Sequence, residues 1–143
     1  INVMVRNSNH QILKILRENS RTPYLKIAEK LGISETAVRK RINRLQERGV
    51  IRKYTVEVDP KKLGFEVNAL IGIDTKPENY ISVIEKLKHM DEIVSLYAST
   101  GDHMLLAECW LKNSEELVKL VKKLNEIGGV TRVCPAILLE KIK

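Results

Sequence analysis

Thr36, Lys40 and Asn43 stand in the stretch Gly32-Ile33-Ser34-Glu35-Thr36-Ala37-Val38-Arg39-Lys40-Arg41-Ile42-Asn43-Arg44-Leu45-Gln46-Glu47-Arg48-Gly49. At about 100° per residue, that spacing brings a hydroxyl, an ammonium and a carboxamide to one helix face, with Arg39 and Arg44 beside them. Such groups donate to and accept from base edges, while guanidinium and ammonium grip phosphate. The chemistry expected here is therefore recognition of a DNA groove rather than bond making. A solvated basic helix has the same composition, and taken alone the stretch fits either reading.

The elements that must position these groups are legible on both sides. Ser34 is an N-cap residue and Gly49 takes the left-handed position that ends a helix. Val38, Ile42 and Leu45 recur at helical spacing and form a narrow apolar stripe opposite the polar face. Arg41 falls nearer that stripe, where packing or an ion pair competes with a role at the surface. Upstream, Ser8 or Asn9 can cap a first helix reaching about Asn19, with Ile12, Leu13, Ile15 and Leu16 inward. Thr22-Pro23 reads as N-cap and first-turn proline of a second short helix, with Leu25, Ile27, Ala28 and Leu31 inward. Two short helices joined by a glycine turn, the second basic outside, make a helix-turn-helix. Val50 to Val58 alternates and is β-branched, which predicts a strand or wing. Arg52 and Lys53 on it suit phosphate contact or plain solvation equally.

Charge supports the nucleic-acid reading. The net charge of the 143 residues is +7, and residues 1–60 hold 13 Lys and Arg against 6 Asp and Glu, while the remainder is balanced at 12 against 12. Solubility does not require that segregation; attraction to a polyanion does. No apolar run approaches the ~20 residues of a membrane span, and Ile1 to Arg6 shows no secretory pattern. Cys109 and Cys134 read as free thiols in apolar strands, consistent with a reducing cytoplasm. His10, His89 and His103 share no metal-ligand spacing with them, so neither metal nor cofactor is expected.

From Val67 onward strands and helices alternate. Strands are expected at Val67 to Thr75, Ile93 to Ser99, His103 to Leu111 and Val130 to Glu140. Helices are expected from Pro77 to about His89, with Ile81, Ile84 and Leu87 inward, and from a Ser114 cap to about Ile127. This is βαββαβ, with a faint repeat at a shift of 37 positions that pairs Leu87 with Leu124 and Ile93 with Val130. Both helices then lie on one sheet face. Yet Ala69 to Ile73 and Met104 to Ala107 are apolar at both parities, so the other face also wants cover. A second copy supplying the same face gives a two-fold dimer; a ligand groove or a locally apolar strand end is the alternative. The fold class is α+β, with residues 1–58 as winged helix-turn-helix, 59–65 as hinge and 66–143 as the βαββαβ domain.

Taken together, residues 8–143 resemble the Lrp/AsnC (feast/famine) transcriptional regulators, archaeal type. The resemblance rests on Leu31-Gly32-Ile33-Ser34, Thr36-Ala37-Val38, Arg41-Ile42, Leu45-Gln46-Glu47-Arg48-Gly49-Val50-Ile51, Asp59-Pro60-Lys61-Lys62-Leu63-Gly64, Thr100-Gly101-Asp102-His103 and Val133-Cys134-Pro135-Ala136. It implies a winged helix-turn-helix that binds double-stranded DNA and a ferredoxin-like, RAM-type domain that senses effectors. It also implies a homodimer that associates further into tetramers, octamers or discs. Family effectors, usually amino acids, bind between dimers near the glycine turn, which here assigns Thr100, Gly101, Asp102, His103 and Met104. The family commonly has an aspartate where this chain has Met104, which sets the usual amino-acid effector in question.

On this reading the protein is a cytoplasmic, sequence-specific DNA-binding regulator and not an enzyme. Thr36, Lys40 and Asn43 are assigned to base edges. Ser34, Arg39, Arg44, Arg21, Thr22 and Tyr24 are assigned to phosphates or positioning. For Asp102, forming the turn is the stronger reading and ligand contact the weaker one. Sirohaem decarboxylases share the architecture and supply the enzymatic alternative, although neither an activated nucleophile nor a carboxylate pair stands out.

Overall fold

A glycine in the left-handed conformation closes each helix of the helix-turn-helix, the first between its two helices and the second before the wing. The structure is a computed structural model that describes residues 3–143, with side chains from Ser8. The absence of a secretory pattern in Ile1 to Arg6 rests in part on Ile1 and Asn2, which lie outside the described residues. The chain divides into two compact units, one ending at Glu57 and one running from Val58 to Lys143.

The first unit holds α1 (Val3–Glu18), α2 (Tyr24–Leu31) and α3 (Glu35–Glu47). The α2 helix stops at Gly32 (φ 65°), where the Ile33 N–H reaches back to the Ala28 carbonyl at 3.1 Å. In the same way Gly49 (φ 72°) lets the N–H groups of Val50 and Ile51 close on the Leu45 carbonyl at 2.9 and 3.0 Å. Both are αL terminations that satisfy carbonyls the helix leaves open. Ser34 caps α3 as expected, its Oγ accepting from the Ala37 N–H at 3.1 Å. Ile12, Leu16, Ile27, Ala28, Val38 and Ile42 form the core, with Leu31, Ile33 and Ile51 packed around it.

Several local expectations are corrected. The first helix starts at Val3, so Ser8 and Asn9 are inside it rather than capping it. Pro23, not Thr22, is the N-cap of α2. Thr22 instead folds back on the preceding turn, its hydroxyl and its N–H both donating to the Asn19 carbonyl, at 2.7 and 3.1 Å. Leu25 points outward at 56% exposure, since two turns of helix bury only one side. Residues 50–58 form no strand: the described part of this unit contains no other strand, so a ladder has no second rail. The segment is an extended wing, tied where Gln46 Nε2 donates to Tyr54 Oη at 3.1 Å.

The second unit is a four-stranded antiparallel sheet in the order β2-β3-β1-β4, with β1 Val67–Thr75, β2 Ile93–Ala98, β3 Leu105–Leu111 and β4 Val130–Ile137. Helices α4 (Tyr80–Lys88) and α5 (Ser114–Asn125) cover one face. Ala69, Ile71, Ile73, Leu105, Ala107 and Cys109 of the sheet meet Val83, Leu87, Leu120 and Leu124 of the helices. This is the split βαββαβ arrangement expected. Strands β3 and β4 are shorter than the sequence suggested, β3 starting at Leu105 and β4 ending at Ile137. The α4 stripe is Val83 and Leu87 with Ile84 beside them, and Ile81 is 69% exposed. A 3₁₀ turn over Pro77–Asn79 advances the chain by more than 100° per residue and so changes the phase. Asn113, one residue before Ser114, caps α5 through its Oδ1 and the Glu116 N–H at 2.9 Å.

The joint expected at 59–65 carries a 3₁₀ turn, Lys61–Leu63. It bonds into the second unit: Lys61 Nζ donates to the Leu139 carbonyl at 3.2 Å and the Phe65 ring sits 5.9 Å from Trp110.

Candidate functional site

The first site is the outer face of α3. Burying Val38, Ile42 and Leu45 forces the opposite side of the helix outward. Thr36, Arg39, Lys40, Asn43 and Arg44 are accordingly exposed, as are Ser34 before the helix and Arg21 at the entry to α2. Thr22 and Tyr24 are half-buried beside them. Ser34 uses its lone pairs on the Ala37 amide and keeps its O–H to donate outward.

Two residues of the expected set have other engagements. The Arg39 guanidinium lies 5.0 Å above the Tyr24 ring and its Nη2 pairs with Glu35 Oε1 at 3.1 Å. Stacking on an aromatic face and pairing with a carboxylate hold a guanidinium in one orientation. Arg41 resolves toward packing: it is half-buried, forms no ion pair among the described residues, and encloses Nη1 without an acceptor.

The second site is the turn between β2 and β3. Gly101 takes φ 97°, which only glycine adopts readily, and this reverses the chain over Thr100, Asp102 and His103. Thr100 and Asp102 are exposed and His103 is largely covered. The residue that organises the turn comes from β1. Asp74 Oδ1 accepts from the Met104 N–H at 2.9 Å. Asp74 Oδ2 receives Arg132 Nε at 2.9 Å and faces His103 Nδ1 at 3.0 Å. Arg132 Nη2 donates to the Asp102 carbonyl at 2.9 Å and pairs with Asp102 Oδ1 at 3.2 Å. His103 Nδ1 donates to Asp74 Oδ2, because an ionised carboxylate only accepts; Arg132 Nη2, 3.2 Å from the same nitrogen, is itself a donor and spends its hydrogens on Asp102. Ser99 donates its hydroxyl to the His103 carbonyl at 2.7 Å.

Burial pushes the Asp74 carboxyl upward, but His103, the Met104 amide and Arg132 outweigh it and hold the group below the usual carboxylate range. The same contacts raise Arg132, with the Asp74 hydrogen bond as the largest cause. Under the His103 ring lies Gly72, where a Cβ would collide with the imidazole.

Sequence reasoning found the turn and missed Asp74, Arg132, Gly72 and Ser99. The signal for Asp74 was present, as a lone carboxylate inside the otherwise apolar run from Val67 to Thr75. Met104 ends the turn with its side chain directed toward β1. Its sulfur lies 3.5 Å from the Thr75 N–H, and it packs against the core.

The remaining sequence features resolve simply. Cys109 is fully buried, and burial with nearby Glu92 and Glu108 pushes its thiol up to about 12, so it is inert. Cys134 is half-buried on β4. No group of three or more potential metal ligands gathers among the described residues, and no described helix is long and apolar enough to cross a membrane.

Comparison with known proteins places both units. The winged helix-turn-helix DNA-binding model matches residues 6–52, and the Lrp/AsnC ligand binding domain model matches residues 68–143. The chain is 48% identical over 141 residues to the HTH-type transcriptional regulator LrpA of Pyrococcus horikoshii, covering 98% of this chain and 100% of that protein. Among solved structures it resembles E. coli AsnC, with a TM-score of 0.81 and 28% identity over 96% of this chain and 93% of that one. A Neisseria meningitidis transcriptional regulator in complex with L-Met shares the fold, with a TM-score of 0.85 and 20% identity over 95% of this chain and 90% of that one.

Proposed function

The chain belongs to the Lrp/AsnC family of transcriptional regulators, and from that premise we propose that it binds operator DNA through α3 as paired copies. The observation that carries this reading is the capped helix α3, which buries Val38, Ile42 and Leu45 and presents Thr36, Lys40, Asn43 and Arg44 outward. Lys40 and Asn43 have the donors to reach base edges, and Thr36 stands in the first turn, where recognition helices meet bases. Arg44, Arg21 and the Ser34 hydroxyl serve phosphates. Thr22 closes the turn before α2, and Tyr24 underlies Arg39.

The open sheet face supports pairing. Tyr97, Leu106, Gly72 and Cys134 form one cross-strand row, and Glu108, Leu70 and Ala136 the next. Two copies stacked by this face present two α3 helices to half-sites about one helical turn apart. Dimers then associate further, as the family resemblance implies. The Thr100 to Met104 turn, with Asp74 and Arg132, is the sensory site. Its ligand is an amino acid or another small molecule, met at the exposed Thr100 and Asp102 of the turn that Asp74 and Arg132 hold in place. The protein acts in the cytoplasm as a regulator and not as an enzyme.

Gel-shift titration of Lys40→Ala tests the central step. One lost phosphate or base contact is worth about 1–3 kcal/mol, so operator affinity should fall roughly 5- to 150-fold with oligomer size unchanged. Unchanged affinity removes Lys40 from the interface.

A further inference from the structure

Glu35 is the one carboxylate in the first turn of α3, the single acid beside a contact set that is otherwise basic or neutral. We propose that Glu35 reads a base, accepting a hydrogen bond from an exocyclic amino group in the major groove, cytosine N4 before adenine N6. Arg39 and Tyr24 are its positioning residues. The inference rests on the assignment of α3 as the recognition helix.

Position comes first. Glu35 is the first residue of α3, directly after the Ser34 cap, with 47% of its side chain exposed. The first turn of a recognition helix is the part that reaches base edges. Chemistry comes second. A carboxylate only accepts hydrogen bonds, so it is repelled by phosphate and suits only a donor. In the major groove the donors are the amino groups of cytosine and adenine, and glutamate matches cytosine N4.

Preorganisation comes third. The ion pair with Arg39 engages Oε1 at 3.1 Å and leaves Oε2 as the acceptor. Arg39 is itself fixed over the Tyr24 ring at 5.0 Å, so the carboxylate is held from below by a stacked guanidinium. That guanidinium also offsets the negative charge, so the helix end can approach a phosphate-lined groove. A free arginine on the surface would need neither the ring nor the acid.

Selection of binding sites from randomised duplexes, run with the full-length wild type, Glu35→Gln, Glu35→Ala and Arg39→Ala, tests this. The wild type should require C·G at one position of each half-site. Glu35→Gln should move that preference toward A·T, because a carboxamide pairs with adenine N6 and N7. Glu35→Ala should erase it, lowering discrimination at that base by about 5- to 150-fold while other positions hold. Arg39→Ala should blur the same position; a uniform loss across all sequences would make Arg39 a phosphate contact and end its positioning role. If Glu35→Gln and Glu35→Ala select the wild-type sites and only raise affinity for every duplex, Glu35 is a charge on the helix end and the proposal fails. A wild type that selects no sequence at all would instead overturn the reading of α3 itself. Far-ultraviolet circular dichroism of each variant checks that the helices are intact.

Discussion

Gly72 sits between Ile71 and Ile73 on β1 with the His103 imidazole lying where a methyl group would have to go. The strand needs no glycine for its own sake, since its backbone is ordinary and glycine weakens a strand interior. What requires it is the ring, which must lie flat on β1 for Nδ1 to reach Asp74. Gly72→Ala therefore pushes the ring off and strips one donor from Asp74. Overpacking of this kind costs about 1–3 kcal/mol. Calorimetry should show a lower unfolding midpoint, and titration with the amino acids proposed as ligands should give less heat than with the wild type. An unchanged midpoint with unchanged ligand heat would mean the ring is not part of the site. The remaining charge balance has a defined sign with pH. Asp74 titrates below the usual carboxylate range, so its contribution is present above that range and is lost as pH falls through its lowered pKa. None of this could be read from Thr100-Gly101-Asp102-His103 alone, because the partners are 29 and 30 positions away in the chain. Their meeting depends on the register of β1 against β4, which pairs Asp74 with Arg132, and on the return of the chain from the turn into β3.

At the scale of elements, α3 depends on its cap. Ser34→Ala removes the acceptor of the Ala37 amide and should cost about 1 kcal/mol. In the thermal transition of the first unit that corresponds to a fall of roughly 4–8 °C. Ser34→Asp, which keeps an acceptor at the cap, should restore the midpoint; if Ser34→Ala melts with the wild type, the cap carries no stability. This element was legible because every signal agreed: cap, stripe and terminal glycine all come from residues within one helix. Elsewhere the reading slipped by one residue or one face. Thr22 and Pro23, like Ser114 and Asn113, are adjacent residues that could each cap, and the choice depends on which amides the folded turn leaves open. Leu25 and Ile81 were placed inward by periodicity, yet helices of 8 and 9 residues bury too narrow a side to use every apolar position. Alternation and β-branching in residues 50–58 left strand and wing both open, because they are properties of one segment, whereas a strand requires a neighbour.

For the whole molecule, the segregation of charge and the apolar open face describe one division of labour. The basic excess lies within residues 1–60, and the second unit has a balanced surface with an uncovered sheet. Tyr97 is 60% exposed there, beside Leu106 in the cross-strand row. In the proposed mode of binding, one α3 helix on one half-site holds DNA less tightly than two copies joined. Joining two copies makes the second contact intramolecular, which multiplies affinity by about 10²–10⁴ without any new residue touching DNA. Leu106→Asp puts a carboxylate between Gly72 and Tyr97 on the face proposed to pair, so it should yield a monomer. Tyr97→Glu makes the same test at a more exposed position, where folding of the sheet is not at stake. Sedimentation equilibrium should then report monomers that keep the wild-type circular dichroism. Affinity for a full operator should drop by about 10²–10⁴, while affinity for an isolated half-site stays as it was. The half-site control is what ties the loss to pairing: α3 and its contacts are untouched, so a fall there as well would mean that the substitution had damaged the first unit. Dimers that persist in both variants would show that the copies meet through another surface.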